Sequence, residues 1–212
     1  MKQLKFENIS FKYRKKDIIN DLNLTLDGKK CTALVGPNGS GKTTIGKLLM
    51  GILKPEGGCI YYDDLDISNN NLSYLGGRIG YLFQNPAKQI FAVTVRDDLG
   101  FPLRMNGEKE EIIHKKIDSM TDLFHLEKII DSKCHLLSQG EKQRVALASI
   151  FMREPEYLIL DEPTTSLDQV RKEMLGQSLK KVKEKGVGIL LISHDKKFVE
   201  SYADEIIEMG DL

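Results

Sequence analysis

The sequence predicts an α/β fold: a mostly parallel core sheet, an N-terminal antiparallel β region and an inserted helical lobe. Three observations carry this. Short apolar runs at residues 31–35, 157–160 and 187–192 alternate with helix-length segments, the rhythm of parallel strands joined by right-handed crossovers. Leu22, Leu24 and Leu26 alternate with Asn, Thr and Asp, the period of a half-buried strand. Between about residues 85 and 155 strand signals give way to helical spacing.

The elements follow in order. Leu4, Phe6 and residues 11–13 sit among polar neighbours and read as the first strand, with Leu22 to Leu26 on the second. After the turn at Gly28, the unbroken apolar run 31–35 suits a strand buried on both faces. A glycine-rich loop and a helix over 42–50 come next, stopped by Gly51 and Pro55. Residues 59–62 and 79–83 read as further strands. Ile113, Ile117, Met120 and Phe124 mark one face of an amphipathic helix. Residues 139–153 form another, with Val145, Leu147, Ala148 and Phe151 inward and Pro155 ending it. Strands at 157–160, 187–192 and 205–209 then alternate with helices at 170–185 and 196–202.

Composition narrows the function. Lys+Arg and Asp+Glu each number 31 in 212 residues, so the formal net charge is zero. Sequence-independent nucleic-acid binding needs a basic surface, so no nucleic-acid partner is expected. The basic run Lys180, Lys181, Lys183 and Lys185 contains Glu184 and reads as a solvated helix face. Cys31, Cys59 and Cys134 lack any CxxC pairing and predict no disulfide framework, which suits a reducing compartment. The adjacent Cys134 and His135 are poorly spaced for a metal chelate. Residues 1–10 show no signal-peptide pattern, and no apolar run approaches the roughly 20 residues of a spanning helix.

Two motifs carry chemistry. Gly36, Pro37, Asn38, Gly39, Ser40, Gly41, Lys42 and Thr43 fit G-x-x-x-x-G-K-[ST], the P-loop, and lie between a buried strand and a helix. Glycines let backbone N–H groups turn toward a polyanion, and the following helix points its positive end at the same phosphates. Lys42 is then expected to reach the β- and γ-phosphates, Thr43 to ligate Mg²⁺, and Thr44 to lie beside them. At residues 157–162 a hydrophobic strand ends in Asp161 and Glu162, at the strand end where open α/β sheets bind ligands. Asp161 suits a Mg²⁺ shell, and Glu162 suits orientation of a water toward the γ-phosphate.

With these motifs in place, the chain resembles the ATP-binding-cassette (ABC) ATPases over essentially its whole length. Leu137-Ser138-Gln139-Gly140-Glu141 resembles the family's LSGGQ signature, and Thr165-Ser166-Leu167-Asp168 its D-loop. Ser193-His194-Asp195 resembles the switch-histidine motif, and Gln84 the Q-loop glutamine that senses Mg²⁺. Tyr13 stands where the family stacks an aromatic on adenine, whereas His114, His125 and His135 read as ordinary surface histidines. The resemblance implies one ABC domain over 1–212. Residues 1–84 and 156–212 would form the nucleotide-binding core, and 85–155 a helical subdomain carrying the signature. It implies ATP and Mg²⁺ as cofactors, and Glu162, His194 and Gln84 as catalytic. It also implies that Ser138, Gly140 and Asp168 contact nucleotide in a sandwich of two cassettes, homodimeric or heterodimeric. Gln139 and Glu141 depart from the signature, and Glu141 adds negative charge near a phosphate site.

The stretch 83–95 resembles the Q-loop and short following helix of energy-coupling-factor ATPases, cassettes of vitamin and cobalt/nickel uptake systems. There it would grip a helix of a transmembrane partner through Ile90 and Phe91; the plainer alternative is that this pair fills the lobe's core. The expected function is thus an ATPase at the cytoplasmic face of the membrane that drives uptake of a metal ion or vitamin through transmembrane subunits. The alternatives are a soluble cassette ATPase outside transport and a weakly hydrolysing partner in a heterodimer. A GTPase is disfavoured: Asp97-Asp98-Leu99-Gly100 matches DxxG, but no NKxD follows. The resemblance to full-length members stops at Leu212, where they usually continue.

Overall fold

The computed structural model describes residues 3–68, 72–165 and 167–210, so Ser166 and Leu212 lie outside the described residues. Two sheets organise the chain. The first is antiparallel, in the order β2-β1-β4-β5, from β1 (Gln3–Tyr13), β2 (Lys16–Asp27), β4 (Gly57–Tyr62) and β5 (Leu65–Asp66). The second has the order β6-β7-β8-β3-β9, and every pairing in it is parallel. It comprises β3 (Cys31–Val35), β6 (Ile79–Leu82), β7 (Tyr157–Asp161), β8 (Gly188–Ile192) and β9 (Glu205–Glu208).

The parallel sheet separates two hydrophobic cores, and strand alternation sorts side chains between them. Leu158, Leu160, Ile189 and Leu191 face a core shared with the helices of the middle of the chain. Tyr157, Ile159, Leu190 and Ile192 face the other, shared with α1 (Lys42–Leu49) and the antiparallel sheet. The central strands β7 and β8 are buried at every residue, which is why their sequences are continuous apolar runs. Leu22, Leu24 and Leu26 are all buried on one face of β2, as their alternation predicts.

Between β6 and β7 the chain runs through three longer helices: α3 (Val95–Met105), α4 (Glu110–Phe124) and α5 (Gln139–Phe151). On α4 the buried residues are the periodic set Ile113, Ile117, Met120 and Phe124. Each such side chain stabilises by about 1.5–3 kcal/mol when fully buried. His125 ends α4 in a left-handed conformation with φ 52°. Helices α6 (Gln169–Glu184) and α7 (Lys196–Tyr202) flank β8 as the sequence predicts.

The sequence reading contains no counterpart of α3 or of the short helix α2 (Leu72–Gly76). In α3, Pro102 lies inside the helix, and its missing N–H masks the pattern. Burial of Val95, Leu99 and Leu103 at four-residue spacing holds the helix nonetheless. Thr94 caps it by accepting from the Asp97 N–H. The DxxG string at 97–100 is therefore helical, and buried Asp98 accepts from the N–H groups of Phe91 and Ala92 at 2.8 and 3.1 Å. Among the described residues, no helix is long and apolar enough to cross a membrane.

Candidate functional site

The loop between β3 and α1 has the backbone a polyanion site requires. Gly36, Gly39 and Gly41 have φ of 141°, 85° and 99°, a region L-residues avoid. At Gly36 a Cβ would also lie 2.9 Å from Met209 Cβ. Pro37, Asn38 and Gly39 are exposed at the apex, and Ser40 N–H closes the turn on the Pro37 carbonyl at 3.3 Å. The first i→i−4 bond of α1 is Ile45 N–H to Gly41 O, at 2.9 Å. The N–H groups of Lys42, Thr43 and Thr44 precede it and have no helical acceptor. Thr44 is itself buried on the first turn of α1.

Lys42 is buried, and its ammonium donates to the Gly36 and Pro37 carbonyls at 2.8 and 2.7 Å. The lysine thus braces the loop from beneath. Thr43 Oγ1 donates to Asp161 Oδ1 at 2.9 Å, and Tyr81 Oη donates to Oδ2 at 3.2 Å. Burial pushes the Asp161 carboxyl above its ordinary range, against the opposing pull of the Thr43 and Tyr81 hydrogen bonds and of Lys47 and Lys42. A buried carboxylate beside a hydroxyl is the pair of oxygen donors that Mg²⁺ takes from a protein when phosphates and water complete its shell. Among the described residues no cluster of three His, Cys, Asp or Glu forms a protein-only cage. The donor set therefore fits Mg²⁺ bound together with phosphate.

One residue beyond Asp161 the chain turns sharply. Glu162 has φ 51°, its N–H donates to the Ile192 carbonyl at 2.8 Å, and its carboxylate meets His194 Nδ1 at 2.7 Å. The Glu162 side chain is mostly buried while His194 is mostly exposed, so the imidazole covers the carboxylate and keeps its other nitrogen free. Ser193, fully buried, accepts from the Asp195 N–H. Leu82 pairs with Leu160, so Gln84 leaves the sheet at the same edge as Asp161 and Glu162. Gln84 is exposed; Gln89 braces its loop, accepting from Phe83 N–H and donating to the Tyr81 carbonyl. Tyr13 ends β1, stacked edge-on against Phe11. It pairs with Lys16 on β2, whose Ile18 lies against Gly41.

Ser138, Gly140 and Asp168 form a second group. Among the described residues, no hydrogen bond joins them to the 36–43 loop. Ser138 caps α5 in a full capping box: its N–H and Oγ donate to Glu141 Oε2 at 2.8 and 2.7 Å, and its Oγ accepts from Glu141 N–H. Glu141 thus faces back along its own helix start. Asp168 caps α6, accepting from the N–H and guanidinium of Arg171, both at 2.9 Å. Gln143, buried, donates to the Pro163 carbonyl and ties α5 to the turn after Glu162. Tyr81, Gln89 and Gln143 fall inside stretches the sequence reading marks but carry no role of their own there, and Arg171 has none either. Only Tyr81 had a signal there, as an inward residue of a strand beside the Asp161 strand.

An apolar groove of about 430 Å³ lies beside β6, α3 and α5, lined in part by Ile52, Tyr81, Phe83, Phe91, Phe101 and Ile150. Ile90 packs partly buried on the core, whereas Phe91 is 78% exposed. The pair considered together in the sequence therefore divides between core filling and surface.

Residues 19–165 match the ABC transporter family. The chain is 36% identical over 207 residues to the energy-coupling factor transporter ATP-binding protein EcfA1 of Mycoplasmoides gallisepticum, covering 97% of this chain and 74% of that protein. It is 34% identical to EcfA1 of Oceanobacillus iheyensis, over 99% and 76%. The structure of cbiO1 from Clostridium perfringens, described as part of the ABC transporter complex cbiONQ, superposes with TM-score 0.89 at 32% identity, covering 97% and 83%. The ATP-binding cassette MJ0796, solved as a dimer bound to ADP and Pi, superposes with TM-score 0.86 at 26% identity, over 97% and 93%. The chain belongs to the ABC transporter family, as an ATP-binding cassette similar to the energy-coupling factor proteins.

Proposed function

We propose that this protein is the ATP-hydrolysing subunit of an uptake transporter of energy-coupling-factor type. It would dimerise around ATP and act on transmembrane partners from the cytoplasmic face of the membrane. The observation that carries the reading is the convergence of three units at one sheet edge: the Lys42 loop, the Thr43–Asp161 pair and the Glu162–His194 pair. Names of relatives add the transport context: the cbiO1 structure is described as part of a transporter complex.

In this reading Tyr13 stacks on the adenine, and the N–H groups of residues 36–44 with Lys42 hold the phosphates. Thr43 and Asp161, with Gln84 at the same sheet edge, would hold Mg²⁺ beside the phosphates. When bound, the ion neutralises charge on the phosphate oxygens. Glu162 accepts a proton from the water that attacks the γ-phosphorus. The new P–O bond forms as the bond to ADP breaks, releasing ADP and inorganic phosphate. A carboxylate only accepts, so His194 Nδ1 carries the proton toward Glu162, and Nε2 is left for the γ-phosphate or the water. Ser138, Gly140 and Asp168 make no hydrogen bond to this loop among the described residues, and in the sandwich they serve the nucleotide held by a partner cassette. The lobe groove, with Phe91 exposed beside it, suits an apolar helix of a transmembrane subunit.

The test is the solution mass of Glu162→Gln with and without Mg·ATP. A dimer that forms only with ATP is the expected result. A variant that binds ATP yet stays monomeric, alone and with a second cassette supplied, overturns the sandwich.

A further inference from the structure

The second group of residues is held together by one side chain. Arg171, on the first turn of α6, closes both oxygens of Asp168: the Arg171 N–H donates to Oδ1 and Nη1 donates to Oδ2. The same side chain lies across Gly140 on α5. A Cβ at Gly140 would stand 2.8 Å from Arg171 Cδ, 3.3 Å from its Nε and 3.3 Å from Leu167 Cδ2. A side chain at residue 140 would have to displace the Arg171 stem from that space. Leu167 and Asp168 belong to the D-loop, and Ser138 and Gly140 to the signature. Arg171 touches both.

Its charge stands in an unusual place. The starts of α5 and α6 are both positive ends of helix dipoles, where a cation is disfavoured. The carboxylates of Asp168 and Glu141 offset that, and Arg144 is the second cation near the cluster. A neutral residue at position 171 would avoid the dipole cost but leave Asp168 without its guanidinium partner. An arginine there instead makes a planar fork that fixes the Asp168 rotamer while its stem covers Gly140.

We propose that Arg171 is a positioning residue that locks the D-loop to the signature helix, so that Ser138, Gly140 and Asp168 meet the partner's nucleotide as one preformed surface. The inference rests on the ATP-sandwich reading above. Preformation lowers the ordering cost of association and leaves nucleotide binding by a single cassette untouched.

The experiment compares Arg171→Met and Arg171→Lys in the Glu162→Gln background. Methionine keeps an apolar stem over Gly140 and removes the fork; lysine keeps the charge. For each protein, affinity for a fluorescent ATP analogue is measured at low protein concentration, followed by the ATP concentration that gives half-maximal dimer and the melting temperature. Arg171→Met is expected to bind the analogue as its parent does but to need about tenfold more ATP to dimerise, the size of one lost charge-assisted contact. Arg171→Lys is expected to recover part of that loss. A purely structural role would lower the melting temperature and analogue affinity together, and that result overturns the proposal. A parent that dimerises beside an Arg171→Met that dimerises equally well overturns this inference alone. A parent that never dimerises, alone or with a second cassette supplied, overturns the sandwich reading and this inference with it.

Discussion

Glu141 shows how one residue resolves in structure what the sequence leaves open. As a departure from the signature it brings negative charge toward a phosphate site, yet its carboxylate is held by the Ser138 N–H and hydroxyl at its own helix start. The Ser138 side-chain bond, then the Ser138 backbone bond, holds the Glu141 carboxyl below its usual range. A carboxylate with a lowered folded value stabilises the protein fully above its unfolded value of 4.5. That stability is lost as pH falls through the folded value. Glu141→Gln should therefore lower unfolding stability at neutral pH by about 0.3–1 kcal/mol, the worth of an anion at a helix start. The difference should shrink on acidification; urea titrations of both proteins from pH 7 to pH 3 check it, and a difference undiminished between those values would refute this account. Tyr81 makes a second case. Tyr81→Phe leaves Asp161 Oδ2 without its donor and should cost about 1.5–3 kcal/mol in the same assay. The candidate residues that gather at the carboxyl edge of the parallel sheet were legible as candidates because they fall in motifs that are local in sequence. Tyr81 and Arg171 act through contacts made by distant segments, which no spacing encodes.

Elements were legible wherever burial repeats with one clean period. The strands buried on both faces show as unbroken apolar runs and lie within a residue or two of their expected ends, and the one-faced helix α4 shows its helical period at Ile113, Ile117, Met120 and Phe124. Helix α3 does not, because Gly100 and Pro102 interrupt a helix whose stability comes from the packing of Val95, Leu99 and Leu103. Packing between elements was less legible still. On α6, a Cβ at Gly176 would fall 2.0 Å from the Tyr202 ring of α7. The ring is also pinned on its other sides, by Phe198 at 4.7 Å between centroids and by the Lys180 ammonium at 5.2 Å. Gly176→Ala should therefore destabilise by about 1–3 kcal/mol through overpacking. Tyr202→Leu in the same chain should relieve part of that, so the two changes should be non-additive. Strict additivity in thermal unfolding would mean that α6 and α7 do not contact through this pair.

At the scale of the whole molecule, the parallel sheet does two jobs with one geometry. Its faces divide the two cores, and its carboxyl edge gathers the Thr43–Asp161 and Glu162–His194 pairs from strands far apart in sequence. The same arrangement puts the apolar groove where α5 and the middle of the chain meet β6, one short loop from Gln84. The α/β class was legible in the strand–helix rhythm; the groove was not, because its lining comes from segments that only tertiary packing brings together. Its exposed members give a test. Phe91, Phe101 and Ile52 are 78%, 47% and 40% exposed, an apolar surface with a cost in water that binding would remove. Phe91→Asp changes a side chain with little packing to lose, so its stability should stay within about 0.5 kcal/mol. ATP binding should also be unchanged, since the P-loop lies elsewhere. Co-purification with transmembrane subunits should fall sharply, because a buried unpaired carboxylate would face an apolar helix. ATPase activity of the remaining soluble protein should then lose any stimulation those subunits provide. If Phe91→Asp assembles in full, the partner does not sit in this groove, and the nucleotide edge must reach the membrane by another face.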